Sequence, residues 1–375
     1  MHMFAAFYFV IVLSIEQEWN FTYDELISLW TLGALLVGLG AIPAGWLSDK
    51  WSRSSMMVIM FIGMGLSSIL CGISNDKSLL FIGLSLLGLS CAIYHPVGIA
   101  WVVNSSKKKG KALGINGIFG GVGIGSGAFV AGLLIKYFDW NFAFILPGIF
   151  SIIIGLVLLI CIFNNLISFE NTKSNDLEDK SSSNEIIIIA CIMLFSMFGL
   201  GLTFQIMQTS IPKVFDIRIQ NLSTFEIGTI IGIIYGIAGF ITLIGGILAD
   251  KFSLKKIYII GIAAQVPCFY FMAFFTDLNL ILVSLIAAMF NSSILPTENI
   301  LLAKFTPEKH HGLIYGIKFI VAFGSAPIAV FLISKIYEQT KEFTDLFYIS
   351  AVLMIFVSIS VLFLPVKKNK IEIVN

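Results

Sequence analysis

The chain has 375 residues, of which 58% are hydrophobic and 12% are charged, whereas soluble domains carry roughly 25% charged residues. A soluble core cannot absorb so much apolar surface, so the composition excludes an ordinary globular protein. The net charge of +1 and the absence of a basic stripe argue against a nucleic-acid partner. The five cysteines lie in apolar runs, at neither CxxC nor metal-ligand spacing, so we expect no disulfide framework, metal site or cofactor.

Apolar runs near the length that crosses a bilayer recur along the chain. They predict an all-α polytopic membrane protein with twelve transmembrane helices. The first run lacks a basic n-region, so we interpret it as helix 1 rather than as a cleaved signal peptide. Because this run is short for a span, part of helix 1 is open to being truncated at its start. The predicted spans, with ends uncertain by about two to four residues, are 3–15, 26–47, 56–73, 79–103, 112–134, 141–164, 186–209, 226–249, 257–275, 278–303, 312–335 and 344–364.

A polar stretch rich in Ser, Asn and charge separates the sixth predicted span from the seventh. Such a composition is typical of a flexible linker. The predicted domains are therefore an N-terminal six-helix bundle at 1–164, a cytoplasmic linker at 165–185 and a C-terminal six-helix bundle at 186–375.

The distribution of Lys and Arg predicts the orientation, because cytoplasmic loops retain positive charge. With both termini inside, sixteen of these residues fall on the inner side, six fall outside, and Lys318 falls within a span. We therefore expect a multi-pass protein of the cell membrane with both termini in the cytoplasm.

The two halves of the sequence repeat each other. Gly45 and Asp49, after the second span, recur 201 residues later as Gly246 and Asp250, after the eighth. A spacing preserved over such a distance predicts two duplicated six-helix units, an arrangement that transporters use.

The loop Gly45-Trp-Leu-Ser-Asp49-Lys50-Trp-Ser-Arg53 resembles the loop signature of the major facilitator superfamily (MFS). The second copy, Gly246 to Lys251, is similar but has Leu254 where the family has Arg. The resemblance implies the MFS fold, a transport function and a gate on the cytoplasmic side rather than a binding site. The gate residues implied are Gly45, Asp49, Lys50, Arg53, Gly246, Asp250 and Lys251.

The fifth predicted span is rich in glycine and resembles the corresponding helix of family antiporters. Glycine also allows helices to approach closely in lipid. Close packing and an antiport-specific role both stay open. The glycines are Gly114, Gly117, Gly120, Gly121, Gly123, Gly125 and Gly127.

Ionisable residues within spans are costly and usually functional. His95 lies in a Tyr94-His95-Pro96 turn of the fourth span, which resembles an MFS subgroup that has no assigned substrate. Glu298 and Asn299 follow Pro296, 200 residues after Pro96, in the tenth span. Each proline frees a helical carbonyl for a ligand or a partner.

Lys318 in the eleventh span lies at a depth similar to that of Glu298, roughly 9 Å from the helix end. A fixed ion pair and a proton or substrate role are equally compatible with this pattern. Asn116 occupies the position equivalent to Lys318, and a hydrogen bond from His95 to Asn116 is an alternative to proton coupling through His95.

The amides of Gln205 and Gln208 share a face of the seventh span, which suits either solute binding or helix packing. His2, at the start of the first predicted span, is a further candidate for a histidine in the cavity if that start is truncated.

The function expected from this pattern is secondary transport of a small organic solute by a monomer in the lipid bilayer, with coupling to H+ left open. The alternative is a membrane receptor or lipid-handling protein that transports nothing. An enzyme is not expected, because no catalytic constellation occurs in the sequence.

Overall fold

The computed structural model describes residues 1–104, 109–167, 183–305 and 311–365. This part of the chain is almost entirely helical and contains no β-strand. Eleven helices in it are long and apolar enough to span a membrane, and a shorter, interrupted helix precedes them.

The twelve helices are numbered here in chain order, with interrupted helices given in pieces. They are α1 (His2–Ala6 and Tyr8–Trp19), α2 (Tyr23–Ser28, Trp30–Leu39 and Ala41–Lys50), α3 (Arg53–Gly72), α4 (Lys77–Cys91, Tyr94–Gly98 and Ile99–Asn104), α5 (Lys109–Tyr137), α6 (Trp140–Phe163), α7 (Ser183–Arg218), α8 (Thr224–Lys251), α9 (Leu254–Ala263 and Gln265–Met272), α10 (Asp277–Phe305), α11 (His311–Thr340) and α12 (Thr344–Leu362).

Polar residues at the membrane surfaces set where helices begin. Thr22 and Glu25 form a capping box at the start of α2, and Ser223 and Glu226 form the same arrangement at the start of α8. Asp76 accepts hydrogen bonds from two backbone N–H groups at the start of α4. These caps satisfy donors that a helix leaves unpaired at its N-terminus.

Several helices are longer than hydropathy predicts. The predicted span 3–15 continues to Trp19 in α1, and the predicted span 186–209 continues to Arg218 in α7. In both cases the last turns of the helix contain polar residues that make tertiary contacts. A hydropathy prediction ends the span at the first of these polar residues. The predicted linker falls largely on residues 168–182, outside the described part of the chain, so it stays a prediction.

The helices differ in how they face the bilayer. In α1 every residue from Phe7 to Leu13 is at most 3% exposed, so this helix lies inside the bundle on all sides. The outer helices α6 and α12 instead present apolar stripes to lipid. The stripe of α12 consists of exposed side chains at helical spacing, namely Tyr348, Val352, Phe356 and Ile359.

The two halves, α1 to α6 and α7 to α12, repeat their internal packing. A Cβ added to Gly45 would lie 3.2 Å from Pro96 Cβ, and one added to Gly246 would lie 3.9 Å from Pro296 Cβ. The loop glycine of each half therefore packs on the proline of the equivalent helix, α4 or α10.

The halves meet mainly along two helix pairs, α5 with α8 and α2 with α11, and α1 also contacts α7 and α8. A Cβ on Gly121 of α5 would come within 2.5 Å of Gly239 Cα of α8. The glycine-rich sequence of α5 thus serves close packing between the halves. An antiport role is not needed to account for it.

Candidate functional site

Helix α4 changes its winding at the Tyr94-His95-Pro96 turn. Because Pro96 has no backbone N–H, it cannot make the usual helical hydrogen bond. The segment Tyr94–Gly98 is a π-helical turn, which separates two α-helical pieces. Such turns redirect side chains and often mark functional positions.

The turn brings His95 into a cluster of rings drawn from both halves. Its ring centroid lies 5.3 Å from that of Tyr94, 5.4 Å from that of His2 in α1, and 4.7 Å from that of Phe323 in α11. The rings of His2 and Tyr94 are 5.7 Å apart. We call His2, Tyr94, His95 and Phe323 the histidine cluster. His95 therefore lies where the two halves face each other.

Asn116 of α5 joins the histidine cluster through Tyr94. The Tyr94 hydroxyl donates to Asn116 Oδ1 at 2.6 Å, and both residues are half-buried. The sequence offered a hydrogen bond from His95 to Asn116 as an alternative to proton coupling; the structure gives Asn116 a hydrogen bond from Tyr94, and the alternative for His95 stays a prediction.

Helix α10 keeps its α-helical winding through Pro296, unlike α4 at Pro96. Glu298 Oε1 lies 2.6 Å from Lys318 Nζ of α11, and Lys318 also donates to Asn299 Oδ1 at 2.5 Å. Glu298 is 3% exposed and Lys318 is 7% exposed. The structure therefore pairs two charges that neutralise each other at membrane depth.

The Glu298 carboxylate has a second partner that the sequence did not suggest. Tyr258 of α9 donates to Glu298 Oε2 at 3.1 Å, and its oxygen lies 2.9 Å from the Ser196 hydroxyl oxygen of α7. Tyr258 and Ser196 are fully buried. No feature of the sequence around them distinguishes either from a packing residue. Ser196, Tyr258, Glu298 and Lys318, called the charge network below, all belong to the second half.

Gln205 and Gln208 lie on α7, between Ser196 of the charge network and the end of the helix at Arg218. Gln205 is half-buried and Gln208 is 7% exposed. Neither side chain makes a hydrogen bond to another residue that the structure describes. Their amides are therefore available to a solute, and the sequence hypothesis for them stays a prediction.

The end of the molecule that carries Lys50, Arg53 and Lys251 is called the basic end. Lys50 is exposed and its Nζ lies 4.2 Å from the ring centre of Trp46, while Arg53 begins α3 and is half-buried. Asp250 and Lys251 are exposed and form no ion pair within the described part of the chain. The Asp49 side chain is outside that part. The gate at this end therefore stays a prediction.

The opposite end of the molecule holds contacts between the halves that the sequence did not predict. Lys213 Nζ of α7 lies 2.7 Å from Glu16 Oε2 of α1, and the Tyr23 hydroxyl of α2 donates to the Thr209 carbonyl of α7 at 3.2 Å. The Ser334 hydroxyl of α11 donates to the Asp24 carbonyl at 3.1 Å. The halves are thus joined by polar contacts at this end.

The described residues include no group of three His, Cys, Asp or Glu that is arranged to hold a metal ion. The ionisable groups described at membrane depth are instead the histidines of the histidine cluster and the ion pair of the charge network. Such groups suit binding and release of a solute better than covalent chemistry.

Comparison with known families agrees with this architecture. The sequence profile of the Major Facilitator Superfamily matches residues 1–241 and, separately, residues 186–374. The chain belongs to the Major Facilitator Superfamily. Membership confirms the predicted all-α fold of two six-helix bundles in a multi-pass membrane protein that is not an enzyme.

Two curated relatives from bacteria are similar to parts of this MFS chain. The riboflavin transporter RibZ of Clostridioides difficile is 26% identical over 151 residues, which are 39% of this chain and 33% of the relative. The quinolone resistance protein NorB of Staphylococcus aureus is 28% identical over 199 residues, which are 52% of this chain and 41% of the relative. The chain thus matches less than half the length of these relatives.

A solved structure extends the likeness to nearly the whole MFS chain. It is a bacterial homolog of the human lysosomal transporter Spinster, in an inward-facing and occupied conformation. The match covers 97% of this chain and 91% of that one, with a TM-score of 0.70 and 16% identity. At that identity the likeness establishes the fold alone.

Proposed function

We propose that this chain moves a small organic solute across the membrane by secondary transport, with its two halves alternating access to a central site. The moving units are residues 1–164 and 186–375, and residues 165–185 link them. The observation that carries the proposal is the contact of His95 with Phe323, which puts an ionisable side chain of one half against the other half at membrane depth. Such residues usually mark a solute or proton path.

The histidine cluster suggests what kind of solute fits. Its rings offer aromatic edges and faces, Asn116 offers an uncharged hydrogen-bonding group beside Tyr94, and Gln205 and Gln208 offer two more on α7. This chemistry suits a neutral, partly aromatic molecule better than an ion. The names of the two curated relatives refer to riboflavin and to quinolones, so these compounds are the first solutes to test.

We assign the coupled proton, if transport uses one, to His95 rather than to Glu298. Glu298 already accepts from Tyr258 and pairs with Lys318, so protonating it would leave the Lys318 ammonium without its counter-charge. An imidazole in water changes its charge near neutral pH, so His95 is suited to exchange a proton when the open site hydrates it. The charge network then acts as a fixed brace within the second half.

We further propose that the basic end faces the cytoplasm of a cell whose plasma membrane holds the protein as a monomer. The excess of Lys and Arg on that side supports the assignment. In this orientation the polar contacts of the opposite end close the outer side.

The test is solute flux into proteoliposomes that contain the purified chain, with and without an imposed pH gradient. We expect flux of at least one aromatic solute, with dependence on the gradient lost in His95→Ala. The matched control is Glu298→Gln with Lys318→Met, which removes the brace without leaving an orphan charge and should keep the dependence. Saturable binding of a solute without any flux would contradict transport and favour a receptor.

A further inference from the structure

Lys213 is a buried cation between the two halves at the opposite end. The residue is 6% exposed, although it lies near the end of α7. Its Nζ is 2.7 Å from Glu16 Oε2 and 2.7 Å from Asp216 Oδ2. Asp216 is on the same helix as Lys213, whereas Glu16 belongs to α1 in the other half. One ammonium group therefore holds one carboxylate from each half.

Aromatic rings complete the surroundings of Lys213. Its Nζ lies 5.8 Å from the ring centre of Tyr23 in α2 and 6.0 Å from that of Tyr337 in α11. The two rings contact each other edge to face, with centroids 5.2 Å apart. Each half thus also supplies one ring, which limits the access of water and strengthens the ion pairs.

We propose that the ion pair between Glu16 and Lys213 is the latch that keeps the two halves shut at this end, and that Glu16 sets how often the end opens. The inference rests on the proposed alternating access. Lys213 and Glu16 are positioning residues, because they act on the conformation rather than on the solute.

The two carboxylates have different roles in this latch. When the halves separate, Asp216 moves with Lys213 and keeps its charge compensated, while Glu16 moves away and becomes hydrated. Opening therefore leaves no buried orphan charge, which would be prohibitive. The second carboxylate makes the latch reversible.

Another ion pair between the halves is a poor candidate for the latch. Lys341 Nζ lies 3.2 Å from Asp24 Oδ1, but the Lys341 side chain is 56% exposed. Exposed pairs contribute little because water screens them. The Lys213 side chain is 8% exposed, so its pair retains most of its strength.

The latch is tested by labelling a cysteine placed just beneath it, with no solute present. Thr209 is one turn below Lys213 and 2% exposed, and Thr209→Cys keeps the carbonyl that Tyr23 binds. The five native cysteines are replaced by Ala or Ser. Intact cells are treated with a membrane-impermeant maleimide, and Gln220→Cys, which is exposed at the same end, measures full labelling.

Glu16→Gln and Asp216→Asn form a matched pair, since each removes one carboxylate from the same lysine without changing side-chain size. We expect Glu16→Gln to raise the labelling rate of the introduced thiol at position 209 roughly tenfold, in line with the loss of a charged hydrogen bond. Asp216→Asn should label no faster than the parent, because it removes no contact between the halves and leaves Lys213 without its resident counter-charge when they separate. Size-exclusion profiles of the variants check folding.

Equal labelling rates in the two variants, whether fast or slow, would overturn the latch. Slow labelling in Glu16→Gln alone would do the same. Because labelling needs no solute, a chain that labels as expected but carries no solute would contradict the transport function and leave the latch in place.

Discussion

The fourth and tenth helices occupy equivalent positions in the two halves but differ in structure and chemistry. At Pro96, α4 forms a π-helical turn whose rings contact the other half. At Pro296, α10 stays α-helical and places Glu298 in a network within its own half. Side chains at this position thus contact the other half in α4, whereas in α10 they take part in a network within their own half.

This difference indicates which of the two regions can rearrange during a transport cycle. The contacts described for the histidine cluster are ring contacts and the hydrogen bond of Tyr94 to Asn116, and contacts of these kinds rearrange at small cost. The charge network is held by a buried ion pair, whose separation is expensive. The first half therefore carries the variable chemistry, and the second half provides a rigid reference for it.

Removing one charged member of the charge network should have the largest effect on stability. Glu298→Gln leaves Lys318 buried without a counter-charge, so we expect a loss of about 3–5 kcal/mol in stability. Lys318→Met added to it should recover most of the loss. Thermal unfolding in detergent measures both. A single variant as stable as the parent would show that the pair is not a brace.

The interface between the halves can be tested at two glycines of α5. Gly121→Ala forces a methyl group against Gly239, so we expect a loss of about 1–3 kcal/mol in stability from overpacking, together with slower transport. Gly117→Ala is the control, because its new Cβ would lie 3.6 Å from Thr242, an ordinary contact. Equal effects of the two changes, by unfolding and by flux, would argue against the observed register of α5 and α8.

The histidine cluster should respond in the opposite way to the charge network. His95→Gln removes a titratable ring but leaves a polar side chain, so we expect transport to fall about tenfold, or ~1.4 kcal/mol in the barrier. Stability should change by less than about 1 kcal/mol. Initial flux rates and thermal unfolding on one preparation separate the two effects. A large loss of stability with normal flux per folded molecule would reverse our assignment of roles.

A smaller effect is expected at the rim of the second half. Burial would raise the pKa of Glu342, but hydrogen bonds from Arg218 and from the backbone N–H of Phe343 lower it below its ordinary value. A lowered pKa in the folded state contributes stability above the unfolded pKa, about 4.3, and that stability is lost as pH falls through the folded value.

Melting temperature as a function of pH checks this contribution. Between pH 6 and pH 3 the parent should lose slightly more stability than Glu342→Gln, because only the parent has this carboxylate to protonate. Identical pH profiles would show that the contact of Glu342 with Arg218 contributes nothing at the partly exposed rim.

The fold was predictable from the sequence because its signals are long and repeated. Hydropathy located the twelve helices, and the spacing between Asp49 and Asp250 revealed the duplication. Hydropathy did not predict the ends of α1 and α7, because these ends contain the charged residues Glu16 and Lys213. The two residues form an ion pair that exists only in the tertiary structure.

The candidate site was predictable only in part. Glu298, Lys318 and His95 stand out because charge is rare at membrane depth. Tyr258 and Ser196 carry no such signal, since hydroxyl groups occur throughout the spans. The hydrogen bond of Asn116 with Tyr94 and the π-helical winding at Pro96 are details of tertiary structure that a sequence pattern does not specify.

Alternating access requires the halves to separate at the opposite end in every transport cycle. The Ser334 hydroxyl and the Asp24 carbonyl are 3.1 Å apart across the halves, so cysteines at these two positions can be joined by a short, reducible thiol cross-linker. In proteoliposomes that hold a cysteine-free parent with these two substitutions, we predict that cross-linking stops solute flux and that reduction restores it. Undiminished flux through the cross-linked protein would contradict alternating access.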